Sequence, residues 1–239
     1  MITPKRALIT ASFLVSIAIA LFEHASVPLS SQFYLDLTQY YGFISLALLY
    51  LVLLPGPFYR LFPNAPFSIA HRAYLSGLGI STFYFALLHS TVAFWGLLEG
   101  FAGIPYLPGP YFWAMIFGFL ALLILAALAG TSFDYMRIKL GKNWKRLHRT
   151  VYAGAFLVVA HTAMAGSHFQ SLGAFIPTFW MVIFFALVLM HAILLNRLLS
   201  AKYPQYSWLF FPVIIALVIL FGLFILNFLH TYAHGAHQH

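Results

Sequence analysis

Residues 111–130 read Tyr-Phe-Trp-Ala-Met-Ile-Phe-Gly-Phe-Leu-Ala-Leu-Leu-Ile-Leu-Ala-Ala-Leu-Ala-Gly, without one charged side chain. Twenty helical residues rise about 30 Å, which is the thickness of a bilayer's hydrocarbon core. This stretch therefore reads as a membrane-crossing helix. Working outward, further apolar runs of comparable character lie at roughly 7–22, 39–54, 73–98, 150–166, 173–195 and 208–229, the fifth crossing (150–166) being short. Pro and Gly mark the connections, as in Pro55-Gly56-Pro57, Pro63-Asn64-Ala65-Pro66 and Pro105 to Pro110. The expectation is an all-α integral membrane protein, a bundle of seven transmembrane helices forming a single transmembrane domain over 1–239.

Composition supports that class. With 63% hydrophobic and 7% charged residues, the chain lies outside the range of soluble globular domains. Cysteine is absent, which excludes disulfides, iron–sulfur clusters, thiolate metal sites and cysteine nucleophiles. Histidine is then the strongest metal ligand available, with 11 copies against four carboxylates. That balance favours haem or copper over a carboxylate-rich centre.

Orientation follows from the basic residues. Seven crossings place all 12 cations on one side: Lys5, Arg6, Arg60, Arg72, Arg137, Lys139, Lys142, Lys145, Arg146, Arg149, Arg197 and Lys202. The positive-inside rule then puts the N-terminus in the cytoplasm and the C-terminus outside. Glu23, Asp36 and Glu99 fall on the outer side, and only Asp134 joins the cations. The net charge of +8 belongs to membrane lipid at the inner surface, and no nucleic acid is expected as a partner. Lys5-Arg6 and the apolar run to Phe22 have the outline of a signal peptide, but no small-x-small site follows between Glu23 and Ser30, so the first helix is expected to stay.

Imidazoles inside apolar crossings are costly and point to a ligand, a proton relay or a pathway lining. His89 and His161 both fall in the outer half of crossings that start on the cytoplasmic side, so they can meet at one depth and clamp a low-spin haem. The alternative for this pair is a hydrogen-bonded polar contact between helices. His148 precedes His161 by thirteen residues, about 19.5 Å along a helix and about 220° around it, so a tilt, a kink near Gly154 or ligation from differing ring edges has to bring both to bear. An inner site at His148 needs a second ligand. His71 lies on the face of His89 but about 27 Å away, and His191 lies at a suitable depth on the sixth helix. His71 reads equally as an interfacial basic residue, and His191 as a cap near Asn196 and Arg197. In the His-rich outer tail, 230–239, His230 and His234 stand at i,i+4 and can chelate a metal, with His24 and His168 on the same side. The alternative is a tail with incidental histidines.

The stretch Thr131-Ser132-Phe133-Asp134-Tyr135-Met136-Arg137-Ile138-Lys139-Leu140-Gly141-Lys142-Asn143-Trp144-Lys145-Arg146-Leu147-His148-Arg149 resembles a signature of the ferric reductase-like transmembrane family. Thr131-Ser132, the Met-Arg step, Leu140-Gly141-Lys142, Trp144, Leu147-His148, Tyr152 and His161 carry the likeness, with Gly79 and Leu88-His89 earlier. It is most similar to the haem-binding membrane subunits of bacterial periplasmic methionine sulfoxide reductase systems. The resemblance implies a six-helix core, here 39–195, holding one or two b haems between its third and fifth helices, with iron ligated by His89, His161 and His148. Ser76 stands where oxidases and ferric reductases of the superfamily carry a fourth histidine, and 208–229 would be an additional C-terminal helix.

The expected function is a transmembrane b-type cytochrome of the bacterial inner membrane. Electrons would come from a cytoplasmic flavin reductase or similar donor, with any flavin supplied by that partner. They would leave to a periplasmic or outer-face acceptor protein or a metal chelate. The basic run Arg137 to Arg149 suits either an acidic flavoprotein or anionic lipid. A stand-alone ferric or cupric reductase is the alternative, with the tail as substrate site. A non-haem transporter or membrane scaffold is the alternative of another class, disfavoured because the four acids lie in loops or at helix ends.

Overall fold

The computed structural model describes residues 3–27, 29–64, 68–165, 175–216 and 219, with backbone alone over 68–73 and 175–182. Its long elements are helices: α1 Pro4–Ser26, α2 Ser31–Leu53, α3 Pro55–Leu61, α4 Ser68–Val92, α5 Gly109–Gly130, α6 Asp134–Leu140, α7 Lys142–His148, α8 Val151–Ala165 and α9 Phe175–Lys202. Among the described residues, five segments are long and apolar enough to cross a membrane: Pro4–Ser26, Ser31–Leu61, Tyr74–Leu97, Gly109–Gly130 and Ile183–Lys202. The described part of the fifth expected crossing, α8, has 15 residues. Of the last, only 207–216 and residue 219 are described, as helix, and the tail with His230 and His234 lies outside the described residues.

Two compact units divide the chain. The first joins Met1–Val52 to Ile69–Ala165, and the second joins Leu53–Ser68 to Gly166–His239. In the second, α3 packs on α9 and a short 3-10 turn, Pro204–Tyr206, follows α9. At 28 residues α9 rises about 42 Å, longer than a hydrocarbon core, and it runs past the boundary expected at 195.

The first unit is built inside out. On α1, Ser12, Ser16 and Glu23 are buried while Leu14 is 60% and Phe22 66% exposed. That inversion suits a lipid surround, where apolar side chains face outward at no cost and polar groups must find partners within. The buried hydroxyls do so. Ser12 Oγ donates to Ser81 Oγ at 2.8 Å, Ser16 and Tyr84 share a hydrogen bond of 2.8 Å, Tyr41 donates to the Ser16 carbonyl, and Ser45 to that of Thr82. These contacts tie α1, α2 and α4 together, beside an apolar cluster of Phe33, Leu37, Tyr41 and Phe85. The second pairing, α5 on α8, relies on small residues. Ala114, Ala121 and Ala129 are buried on α5, and a Cβ at Gly154 of α8 would meet Ile124 at 3.2 Å. Small side chains let helix backbones approach where no hydrophobic drive joins them.

Three boundaries depart from the hydropathy reading. The second crossing starts at Ser31 rather than near 39, because Gln32 and Asp36 satisfy each other one turn apart at 2.7 Å and the helix carries them. The third ends at Val92 and continues as a π turn, Ala93–Leu97, in place of straight helix to 98. Between His148 and Val151 the chain breaks at Arg149 and Thr150, so the two histidines of the thirteen-residue pair belong to separate helices, α7 and α8. This break, directly after α7, separates the two rings where the sequence left a choice of tilt, a kink near Gly154 or ligation from differing ring edges.

Candidate functional site

His89 comes from α4 and His161 from α8, and the two rings meet edge-on with centroids 5.8 Å apart and planes at 85°. Neighbouring helices hold them. His89 Nδ1 donates to the Thr38 carbonyl of α2 at 2.8 Å, and His161 Nδ1 donates to the Ala114 carbonyl of α5 at 2.8 Å. A carbonyl can only accept, so each bond places the proton on Nδ1 and leaves Nε2 with its lone pair. Both rings remain partly uncovered by protein.

Among the described residues no group of three or more His, Asp or Glu could hold a metal ion. A pair of imidazoles therefore suits a metal whose other ligands arrive with it, as a porphyrin supplies four nitrogens. Two imidazoles on opposite sides of one metal, each at about 2 Å from nitrogen to metal, hold their ring centres roughly 6 Å apart. The observed separation fits haem. Close by, Thr38 Oγ1 is buried without a hydrogen-bond partner among the described residues, a polar group suited to a bound group or water.

His148 sits in a different setting. Its ring stacks on Trp144, centroids 4.0 Å apart and planes at 27°, and its Nε2 lies 3.2 Å from Thr131 Oγ1. The Thr131 hydroxyl already donates to the Ala127 carbonyl at 2.7 Å, so it accepts from His148 Nε2–H. Trp144 Nε1 donates to the Thr131 carbonyl at 2.9 Å, and the Arg137 guanidinium lies 5.4 Å from the Trp144 ring centre. Next along, the Ser132 carbonyl accepts from Ser76 Oγ at 2.9 Å and from Lys5 Nζ at 3.0 Å. The Thr131-Ser132, Trp144 and His148 positions of the sequence signature thus form one hydrogen-bonded knot, which also gathers the beginning of α1 and α4 and the end of α5. Burial lowers the His148 pKa from its ordinary 6.5, and the Thr131 backbone opposes it.

Of the two proposed inner partners, His71 lies in the first turn of α4 with its side chain outside the described set. His191 donates from Nδ1 to the Leu187 carbonyl of its own helix at 2.8 Å, well before that helix ends at Lys202, so it is not an end cap. His24 sets its ring edge-on to Phe33, 6.2 Å between centres, and His168 is outside the described residues. The supporting carbonyls of Thr38 and Ala114 escaped the sequence reading, whereas Thr131 was singled out as part of the signature but without its role as acceptor for His148.

Comparison with known proteins converges on the same stretch. The profile of the family described as ferric reductase like transmembrane component matches residues 38–159, from the carbonyl that supports His89 to just short of His161. The protein-methionine-sulfoxide reductase heme-binding subunit MsrQ of Cronobacter sakazakii is 32% identical over 171 residues, 64% of this chain and 81% of that relative. Its counterpart in Pectobacterium atrosepticum is 34% identical over 132 residues, 53% of this chain and 62% of the relative. That of Bordetella pertussis is 50% identical over 44 residues, 18% of this chain and 21% of the relative. The chain thus spans less than two thirds of two of these three relatives. No solved structure gives a significant match.

Proposed function

The chain belongs to the ferric reductase like transmembrane component family, and from that premise we propose that it is the haem-binding membrane subunit of a methionine sulfoxide reductase system, carrying electrons across the bacterial inner membrane. The observation that carries this reading is the contact of His89 with His161, each with its proton fixed on Nδ1 and its Nε2 left with a lone pair. A bound b haem would supply one-electron chemistry between ferric and ferrous iron. His89 and His161 would hold the outer haem through their Nε2 atoms, α2 and α5 orienting the rings through their carbonyls.

His148 is the proposed ligand of an inner haem, completed by His71 or His191. Its place in the Thr131 and Trp144 knot, at the end of the unit where Lys5 also sits, supports a position near the cytoplasmic surface. There α7 presents Lys142, Lys145 and Arg146 exposed on one face and Trp144, Leu147 and His148 half-buried on the other. That basic face suits an acidic cytoplasmic flavoprotein as donor. An outer-face protein would take the electrons beyond His89 and His161.

Optical spectra of the purified protein, oxidised and dithionite-reduced, test the reading. A b-type low-spin spectrum is expected, and His89→Ala or His161→Ala should each remove the outer haem's share. A protein without haem, or both variants with the full wild-type spectrum, would refute it.

A further inference from the structure

We propose that Gly42 and Gly118 are positioning residues: by carrying no side chain they open two helix backbones, so that the Thr38 and Ala114 carbonyls can reach and fix the axial imidazoles. The inference rests on the reading of His89 and His161 as haem ligands and names the residues that prepare them. A Cβ built at Gly42 would lie 2.9 Å from His89 Nδ1 and 3.2 Å from its Cε1. One built at Gly118 would lie 2.8 Å from His161 Nδ1 and 3.1 Å from its Cε1. Both distances leave no room for a methyl group unless the ring withdraws.

The two supports repeat one design. In each, the acceptor carbonyl stands four residues before the glycine, Thr38 before Gly42 on α2 and Ala114 before Gly118 on α5. Within a helix the carbonyl of residue i already receives the N–H of residue i+4, and its second lone pair points outward past that residue's side chain. Slender hydroxyl donors still reach such carbonyls past an alanine at i+4, as Tyr41 reaches Ser16 and Ser45 reaches Thr82, but a Cβ at Gly42 or Gly118 would crowd the imidazole ring itself. Glycine there gives the broader ring its approach to the carbonyl. Gly79 and Gly130, by contrast, meet nothing within 4 Å of a built Cβ and serve no such approach. The arrangement performs a definite task. It excludes the tautomer with Nε2 protonated, holds ring orientation, and strengthens Nε2 as a donor by drawing on the Nδ1 proton.

The test uses the full chain with 15N-labelled histidine. In the haem-free wild type, the nitrogen resonances of His89 and His161, assigned by their absence in His89→Ala and His161→Ala, should report a proton on Nδ1. Gly42→Ala should shift the tautomer of His89 alone, and Gly118→Ala that of His161 alone. After haem loading, each variant should bind haem about tenfold or more weakly and raise its midpoint potential, since a weaker imidazole donor stabilises ferric iron less relative to ferrous. Gly79→Ala should leave all three readouts at wild-type values. A proton on Nε2 of either histidine in the wild type overturns the proposal, and that measurement stands even where a glycine variant does not fold. Folded Gly42→Ala and Gly118→Ala proteins with unchanged tautomer, affinity and potential overturn it equally. Neither outcome touches the ligand reading itself, which fails separately if His89→Ala and His161→Ala keep the low-spin spectrum.

Discussion

His148 differs from His89 and His161 in which nitrogen keeps its proton. Thr131 accepts from its Nε2, whereas backbone carbonyls take the Nδ1 protons of the other two. Its depressed pKa has a consequence for the haem-free protein. The unfolded chain takes up a proton at the ordinary imidazole value of 6.5, while burial keeps the folded form neutral to lower pH. The stability this group contributes is therefore fully present above that value and is lost as pH falls through it towards the folded pKa. Melting temperatures from pH 8 down to 5.5 should show the wild type losing stability relative to His148→Gln below about pH 6.5. A constant difference across that range would remove His148 from the account. His89, His161 and His148 were legible in the sequence because imidazole is conspicuous among apolar neighbours or within a basic signature. Their supports were not, since a carbonyl has no residue identity. The available signal was a glycine inside an expected crossing, near the start of 39–54 at Gly42 and within 111–130 at Gly118, and it becomes meaningful only once the neighbouring helix is known.

Between elements, the sharpest local constraint is Gly141, which joins α6 to α7 at φ +49°, ψ −120°. That region is open to glycine and closed to side chains by Cβ contacts. Gly141→Ala is expected to cost about 1–3 kcal/mol, read as a lowered melting temperature with the basic α7 face and the Trp144–His148 stack displaced. A melting temperature equal to the wild type would show that the turn relaxes freely. The crossings themselves were legible as apolar length, and α5 begins and ends within two residues of its expected bounds. The break after His148 was not, because no Pro or Gly stands at Arg149 or Thr150. What marks it is a change of pattern, from a helix with Lys142, Lys145 and Arg146 on one side to the uniformly apolar α8. The π turn after Val92 likewise has no local sequence signal; within it Gly96 packs so closely on Tyr34 that a Cβ would overlap the ring.

Across the whole molecule, 12 cations against four acids make electrostatics the long-range part of the proposed electron path. If an acidic flavoprotein docks at α7, its reduction of the haem should slow steeply as ionic strength rises, since exposed charges are screened beyond about 8 Å at physiological salt. Replacing Lys142, Lys145 and Arg146 by Glu should slow stopped-flow reduction severalfold and leave the haem spectrum intact. Rates insensitive to both would assign the basic face to lipid alone. The supports of the axial pair also impose an order in time. His89 and its carbonyl at Thr38 lie within α2 and α4, and His161 and its carbonyl at Ala114 within α5 and α8, so each half of the site is contiguous along the chain. During synthesis the first half can assemble as a hairpin in the bilayer while the ribosome is still translating the second. The connection from Glu99 to Pro108 is then all that the nascent chain must fold back upon for the two prepared imidazoles to meet, and on the proposed ligand assignment haem would have no complete seat until residue 161 has left the translocon.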